Sequence, residues 1–322
     1  MDRRNKPSAL SATPAAPPQA RVDILGDRVA AVLPTGESVE VLLTGATVLS
    51  WKGAASGGVA EERLWLSGAA VLDGSKAVRG GIPVVFPVFG KSPADLATSR
   101  LPQHGLARTS RWEFLGRSTS ESDASSKATS NGVQLDFGLT WSAADPALKA
   151  LWPFDFALLY RVTLDPGSLT TSIVVTNNEA EKAFDFQVLL HTYFRVGDIT
   201  QVHVDGLGGA PYSDKLEAFK TKTQIESKVE FTSGTDRIYQ PEGGAAQVLT
   251  IVEAGHPKYS ISRDNLPDAV VWNPWAKTKD IDDFEPKDGF KNMLCVEPGS
   301  VSGWQTLEPG DAFEGAQSIS LL

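Results

Sequence analysis

Residues 133–141, VQLDFGLTW, alternate without a break: Val133, Leu135, Phe137, Leu139 and Trp141 fall on one face, and Gln134, Asp136, Gly138 and Thr140 on the other. A period of two is the repeat of an extended chain with one side buried, and a helix cannot present it as a stripe. The same signal returns at 157–177, ALLYRVTLDPGSLTTSIVVTN, where the turn Asp165-Pro166-Gly167 separates two strands, the second dense in β-branched residues. Further short strands are predicted near 22–34, 38–43, 111–116, 184–196, 248–253, 258–263, 269–273, 293–296 and 315–321. Turn signals recur every few residues and no long amphipathic helix intervenes. The expected fold class is therefore all-β, a large antiparallel β-sandwich, and not a series of βαβ units.

With 322 residues, the chain is long enough to bury a sizeable core. Sandwiches of roughly 200–250 residues form single domains, and no linker splits the pattern. One domain over 22–322 is predicted, preceded by a disordered tail at 1–21 whose Pro, Ala and Ser residues cannot offset their own ordering entropy. The Ser/Thr-rich stretch 117–131 reads as a surface loop between two strands, and 276–291 as a solvated charged loop.

Acidic residues outnumber basic ones by 39 to 30, a net charge of −9, which argues against a nucleic-acid or anionic-membrane partner. Any bound anion would need local arginines to reverse the field. The single cysteine, Cys295, has no intrachain partner and no metal-ligand spacing around it, so no metal is predicted. No apolar leader and no membrane-length apolar run occurs, and a cytoplasmic, monomeric protein is expected. Gly90-Lys91-Ser92 imitates a phosphate loop, but Val85 stands where its first glycine belongs. Dinucleotide, nucleophile-elbow and zinc-protease motifs are absent.

Four segments carry chemistry that a core does not require. Arg79-Gly80-Gly81-Ile82-Pro83 sets a planar cation beside a tight backbone. Gln103-His104-Gly105-Leu106-Ala107-Arg108 offers an amide, an imidazole and a guanidinium. In 186–196, alternation puts Val188, Leu190, Thr192, Phe194 and Val196 on one face, and Gln187, Leu189, His191, Tyr193 and Arg195 on the other. Glu297-Pro298-Gly299 follows an apolar run and reads as a carboxylate held at a strand end. Each segment alone also has a bland reading, as a turn, a structural histidine or a strand terminator.

In series, RGGIPVVFPVFG, QHGLAR, LLHTYFRV, TDRIY, VVWNPW and MLCVEPG resemble the aldose 1-epimerase (galactose mutarotase-like) superfamily, and most of all its glucose-6-phosphate 1-epimerase branch. The resemblance covers residues 22–322 and implies the same large antiparallel β-sandwich. It implies that His191 is a general acid and Glu297 a general base, and that Arg79, Gln103, His104, Arg108 and Asp236 bind substrate, with Asp214 an alternative to Asp236. It also implies interconversion of α and β anomers of a hexose 6-phosphate, a sugar-phosphate partner and no cofactor. Ring opening needs one proton delivered and one removed, and a histidine with a glutamate can do both at neutral pH. Guanidinium forks at Arg79 and Arg108 suit a phosphate, and Trp272 and Trp275 could stack on a sugar face. Three alternatives remain at this stage: a non-catalytic carbohydrate-binding sandwich, a mutarotase for unphosphorylated aldoses, and a glycosidase using carboxylates such as Asp282, Asp283 or Glu285.

Overall fold

The computed structural model describes residues 18–55, 58–119 and 132–322. The expected tail falls outside these residues up to position 17, and its last residue, Arg21, instead opens the strand Arg21–Leu25. Of the 117–131 stretch, 117–119 complete the strand Glu113–Thr119, and 120–131 lie outside the described residues.

The strands form antiparallel sheets of nine, eight and five. The nine-stranded sheet contains the alternating segments that dominate the sequence: Val133–Thr140, Phe156–Asp165, Ser168–Asn177 and Ala312–Leu321 lie side by side. The eight-stranded sheet runs from Lys220–Thr223 through Pro211–Asp214, Thr235–Tyr239, Asp268–Asn273 and Met293–Leu307 to Phe184–Leu190 and Val84–Val85. Tyr193–Arg195 also pairs with Met293–Leu307.

Alternation decides what each face of the eight-stranded sheet does. Val188, Leu190, Phe194, Val271, Leu294 and Val296 point inward and share one apolar cluster with Leu135, Val162, Ile173, Ile261 and Ile319 of the nine-stranded sheet. Burying each such side chain is worth about 1.5–3 kcal/mol, so this contact is what holds the two layers together. Thr192, a polar residue on this inward side, is satisfied by Gln317, whose amide also reaches Thr171. The alternate residues Leu189, Tyr193, Ile238, Val270, Trp272 and Cys295 form small separate clusters on the opposite face.

Two readings of the strands need correction. The 184–196 segment is two strands, Phe184–Leu190 and Tyr193–Arg195: the His191 amide still donates to the Pro83 carbonyl, but Pro83 has no N–H to return, and the Thr192 amide turns back onto the Leu190 carbonyl. Glu297 does not end a strand: Met293–Leu307 continues straight through Pro298 and Gly299. Proline is tolerated there because the ladder to the neighbouring segment stops at Leu189–Gly299 and resumes only at Tyr193–Cys295, so Pro298 falls in the gap. The short strands Thr47–Gly53, Val202–Asp205, Pro211–Asp214 and Thr235–Tyr239 have no clear predicted counterpart.

Candidate active site

The outward face of the eight-stranded sheet holds a cleft of about 110 Å³, lined by Arg79, Phe89, Gln103, His104, His191, Lys215, Asp236, Val270, Trp272 and Glu297. Register explains why residues so distant in sequence meet. Leu189 pairs with Gly299 and Tyr193 with Cys295, so His191 falls opposite Glu297, midway between those pairs. Nδ1 of His191 lies 3.5 Å from Oε1 of Glu297. On the other side of Met293–Leu307, Val270 pairs with Glu297 and Trp272 with Cys295. Trp272 in turn faces Asp236.

The RGGIP segment is the third wall. Its carbonyls at Gly81 and Pro83 accept the Tyr193 and His191 amides. A side chain at Gly81, where φ is +66°, would run into the Val48 carbonyl. The adjacent arginine, Arg79, is held by Asp283 at 3.2 Å and donates to the Tyr193 hydroxyl at 3.5 Å. The Tyr193 ring stacks on His191, with centroids 4.7 Å apart at 10°. In the next segment, His104 adopts φ +66° before Gly105, whose missing side chain lets the Phe86 carbonyl approach. The Gly90 amide donates to His104 Nδ1 at 3.2 Å, which places the proton of the neutral ring on Nε2.

Three cations act on this pair. Lys215 forms an ion pair with Asp236 at 3.1 Å and sits over the Phe89 ring. Arg79 also lines the cleft. Arg108 donates to the Gln103 carbonyl at 2.7 Å, just behind the lining residues; burial lowers its pKa to about 10, which leaves it charged at neutral pH. Burial, then Arg108, Arg79 and Lys215, push the His191 imidazole well below its usual value. Burial pushes the Glu297 carboxyl well above the ordinary carboxylate range, against the opposing pull of Lys215. Both shifts favour the uncharged forms, a neutral imidazole beside a protonated carboxyl. His191 Nδ1 and Glu297 Oε2 are buried without a hydrogen-bond partner, a cost a structural role does not explain.

The family model for aldose 1-epimerase matches residues 30–320. The chain belongs to that family. It is 35% identical to a protein of Cenchrus ciliaris named "Putative glucose-6-phosphate 1-epimerase", over 88% of this chain and 81% of that one. A protein of the same name from Escherichia coli is 34% identical, with 86% and 84% covered. The crystal structure of a "putative mutarotase" from Salmonella typhimurium superposes with a TM-score of 0.76 at 29% identity, covering 94% of this chain and 93% of that one. The β-sandwich expected from the alternation is thus that of a mutarotase-like epimerase.

Within this epimerase the cleft gathers Arg79, Gln103, His104, His191, Asp236 and Glu297 from the sequence-derived set, and Arg108 stands close behind it. Asp214 does not line the cleft: it caps a short 3₁₀ turn through the Leu216 amide and pairs with Arg237. Trp272 meets His191 edge-on at 6.0 Å, whereas Trp275 packs on Phe290 away from the cleft. Asp283, expected in a solvated loop, has a side chain only 10% exposed, because it anchors Arg79. Three cleft residues escaped the sequence reading, Lys215, Phe89 and Val270. Lys215 follows Asp214 in a turn with no periodic signal, and Phe89 and Val270 stand in apolar runs that read locally as core. A larger cavity, about 640 Å³ around Trp112, Leu115 and Leu159, offers Arg111 and Glu113 as its charged lining and no histidine. No helix among the described residues is long and apolar enough to cross a membrane.

Proposed function

We propose that this epimerase acts on a hexose 6-phosphate, with His191 as general acid, Glu297 as general base and residues 22–322 working as one domain. The observation that carries the reading is Arg108, a guanidinium held behind the cleft by a backbone carbonyl and not by a carboxylate, in a chain whose net charge is −9. Asp283 and Asp236 balance Arg79 and Lys215; the pair alone suffices for a neutral sugar, and the unbalanced Arg108 calls for an anionic substituent. The relatives named for glucose 6-phosphate support the same substrate.

The chemistry follows from the proton count. As the hemiacetal opens, the imidazolium of His191 delivers a proton to the ring oxygen and the Glu297 carboxylate removes one from the C1 hydroxyl. The pair begins and ends with one proton, on opposite partners. The state after opening, neutral imidazole and protonated carboxyl, is the one this buried site favours. Rotation about C1–C2 and reversal of the transfers closes the ring on the other face. His104, with its proton on Nε2, and Gln103 are placed to donate to sugar hydroxyls. Asp236, tied to Lys215, is placed to accept from one.

The test is anomer exchange of glucose 6-phosphate followed by NMR for the wild type, His191→Ala and Glu297→Gln. Loss of exchange in both variants is expected, and equal rates in all three samples would end the assignment. Exchange of free glucose with the same kcat/KM as the phosphate ester would remove the phosphate from the proposal.

A further inference from the structure

Beneath the acid–base pair lies a group the epimerase reaction does not use. Cys295 precedes Glu297 by two residues on the same strand and points to the same face. A donor atom from each of His191, Cys295 and Glu297 lies within 4.8 Å of the others, and this is the one such trio among the described residues. Cys295 is fully buried, Glu297 is 1% exposed and His191 8%. His191 Nδ1 and Glu297 Oε2 have no hydrogen-bond partner, so two of the three donors are free to ligate.

We infer that His191, Cys295 and Glu297 form a binding site for a thiophilic divalent cation of the Zn²⁺ class, and that the cation, once bound, competes with the sugar. The donor set of one imidazole nitrogen, one thiolate and one carboxylate oxygen matches the ligand types that Zn²⁺ prefers. Three protein ligands leave a fourth tetrahedral position for water, and two of the three, His191 and Glu297, line the cleft. The 3.5 Å separation of Nδ1 and Oε1 already suits two ligands on one tetrahedral ion. The thiol must close in by about an ångström to reach the Zn–S distance of roughly 2.3 Å.

Charge balance explains why three nearby cations do not forbid the site. Binding breaks the S–H bond of Cys295 and releases the one proton shared by His191 and Glu297. Both protons leave to solvent as the Zn–S, Zn–N and Zn–O bonds form. A dication replaces two protons, so the local charge is unchanged and the field of Arg79, Arg108 and Lys215 acts equally on both states. The metal occupies the two groups that move protons, so bound cation and bound sugar exclude each other. Only this competition rests on the proposed roles of His191 and Glu297; the binding site itself does not.

The full chain, freed of metal by a chelator, is titrated with Zn²⁺ by calorimetry and with Cd²⁺ by its ultraviolet thiolate charge-transfer band. One ion per chain and a Cd²⁺ band are expected in the wild type. Affinity should fall by at least about 10-fold, with loss of the band, in Cys295→Ala and in the more conservative Cys295→Ser. In the wild type, Zn²⁺ should raise KM and leave kcat unchanged. Absence of the band, or Zn²⁺ bound equally by the wild type and the cysteine variants, as it would be by His203 or His256, overturns the site. A Cd²⁺ band in a protein that exchanges no anomers would sink the epimerase roles alone. Full exchange with no band would sink the metal site alone.

Discussion

The two faces of the eight-stranded sheet are made by the same strands and do opposite work. On Met293–Leu307, Val296 is sealed against the nine-stranded sheet, and its neighbour Glu297 looks into the cleft. On the adjoining segment Leu190 and Phe194 are core, and His191, between them, carries an orphaned nitrogen. The polar side chains of the inward face, Thr192, Asn273 and Ser300, have partners; the outward face accepts buried polar atoms without them. A single residue step thus separates stability from chemistry, and the core that rigidifies one face fixes the donors on the other. Substitutions on the two faces should therefore have separable effects.

The sharpest separation is expected at the pair itself. His191→Ala and Glu297→Gln should each lower kcat/KM by about 10²–10⁴-fold, roughly 3–5 kcal/mol. The melting temperature of His191→Ala should match or exceed the wild type's, since an unsatisfied buried nitrogen is removed, and that of Glu297→Gln, which keeps a buried polar group, should stay near it; a large thermal loss would show that the outward face also carries stability. The converse substitution is Phe194→Ala, on the inward side. It should cost about 3–5 kcal/mol in denaturant unfolding and leave the turnover of the folded fraction unchanged. A selective loss of kcat there would erase the distinction between faces.

Smaller effects sharpen the account of the outward face. Lys215→Ala and Arg108→Ala each remove one charged contact worth about 1.5–3 kcal/mol. KM for glucose 6-phosphate should accordingly rise about 10- to 100-fold, with KM for free glucose far less affected. Equal effects on both sugars would take these cations out of phosphate binding. The smallest effect is on the pH profile. Because burial and its cationic neighbours lower the His191 pKa, the acid limb of kcat/KM belongs well below the ordinary histidine value of 6.5. Burial raises the Glu297 pKa, so the pair keeps its single proton as pH rises past the ordinary carboxylate value of 4.5. Steady-state rates measured from about pH 5 upward should show no inflection at 6.5, and a half-loss centred there would contradict the buried, one-proton pair.

Much of this was legible in the chain. Alternation over 186–196 assigned Leu189, His191 and Tyr193 to one face and Val188, Leu190 and Phe194 to the other, and the structure keeps that division although the strand breaks at His191. Side-chain direction survives the break because the register on Met293–Leu307 is the same on both sides of it. Glu297 was found through the motif it opens, but its place in mid-strand was not, because Pro298-Gly299 reads locally as a stop. Lys215 and Asp283 were hidden for a different reason: they act from turns, where no period marks a direction, and their partners Asp236 and Arg79 are far away in sequence. Local pattern thus gives the faces of strands, whereas the loops that complete a cleft are known only once the topology has closed.

Met293–Leu307 lies at the middle of its sheet, between Asp268–Asn273 and Phe184–Leu190, and follows both of them in the chain. Until it inserts, the flanking strands have a slot between them, with the imidazole on one side and no carboxylate to face. Closing that slot requires contacts between residues more than a hundred positions apart, the kind of step that makes β topologies slow to mature. Enzymatic competence therefore cannot precede this insertion, and activity regained after dilution from denaturant should never run ahead of it.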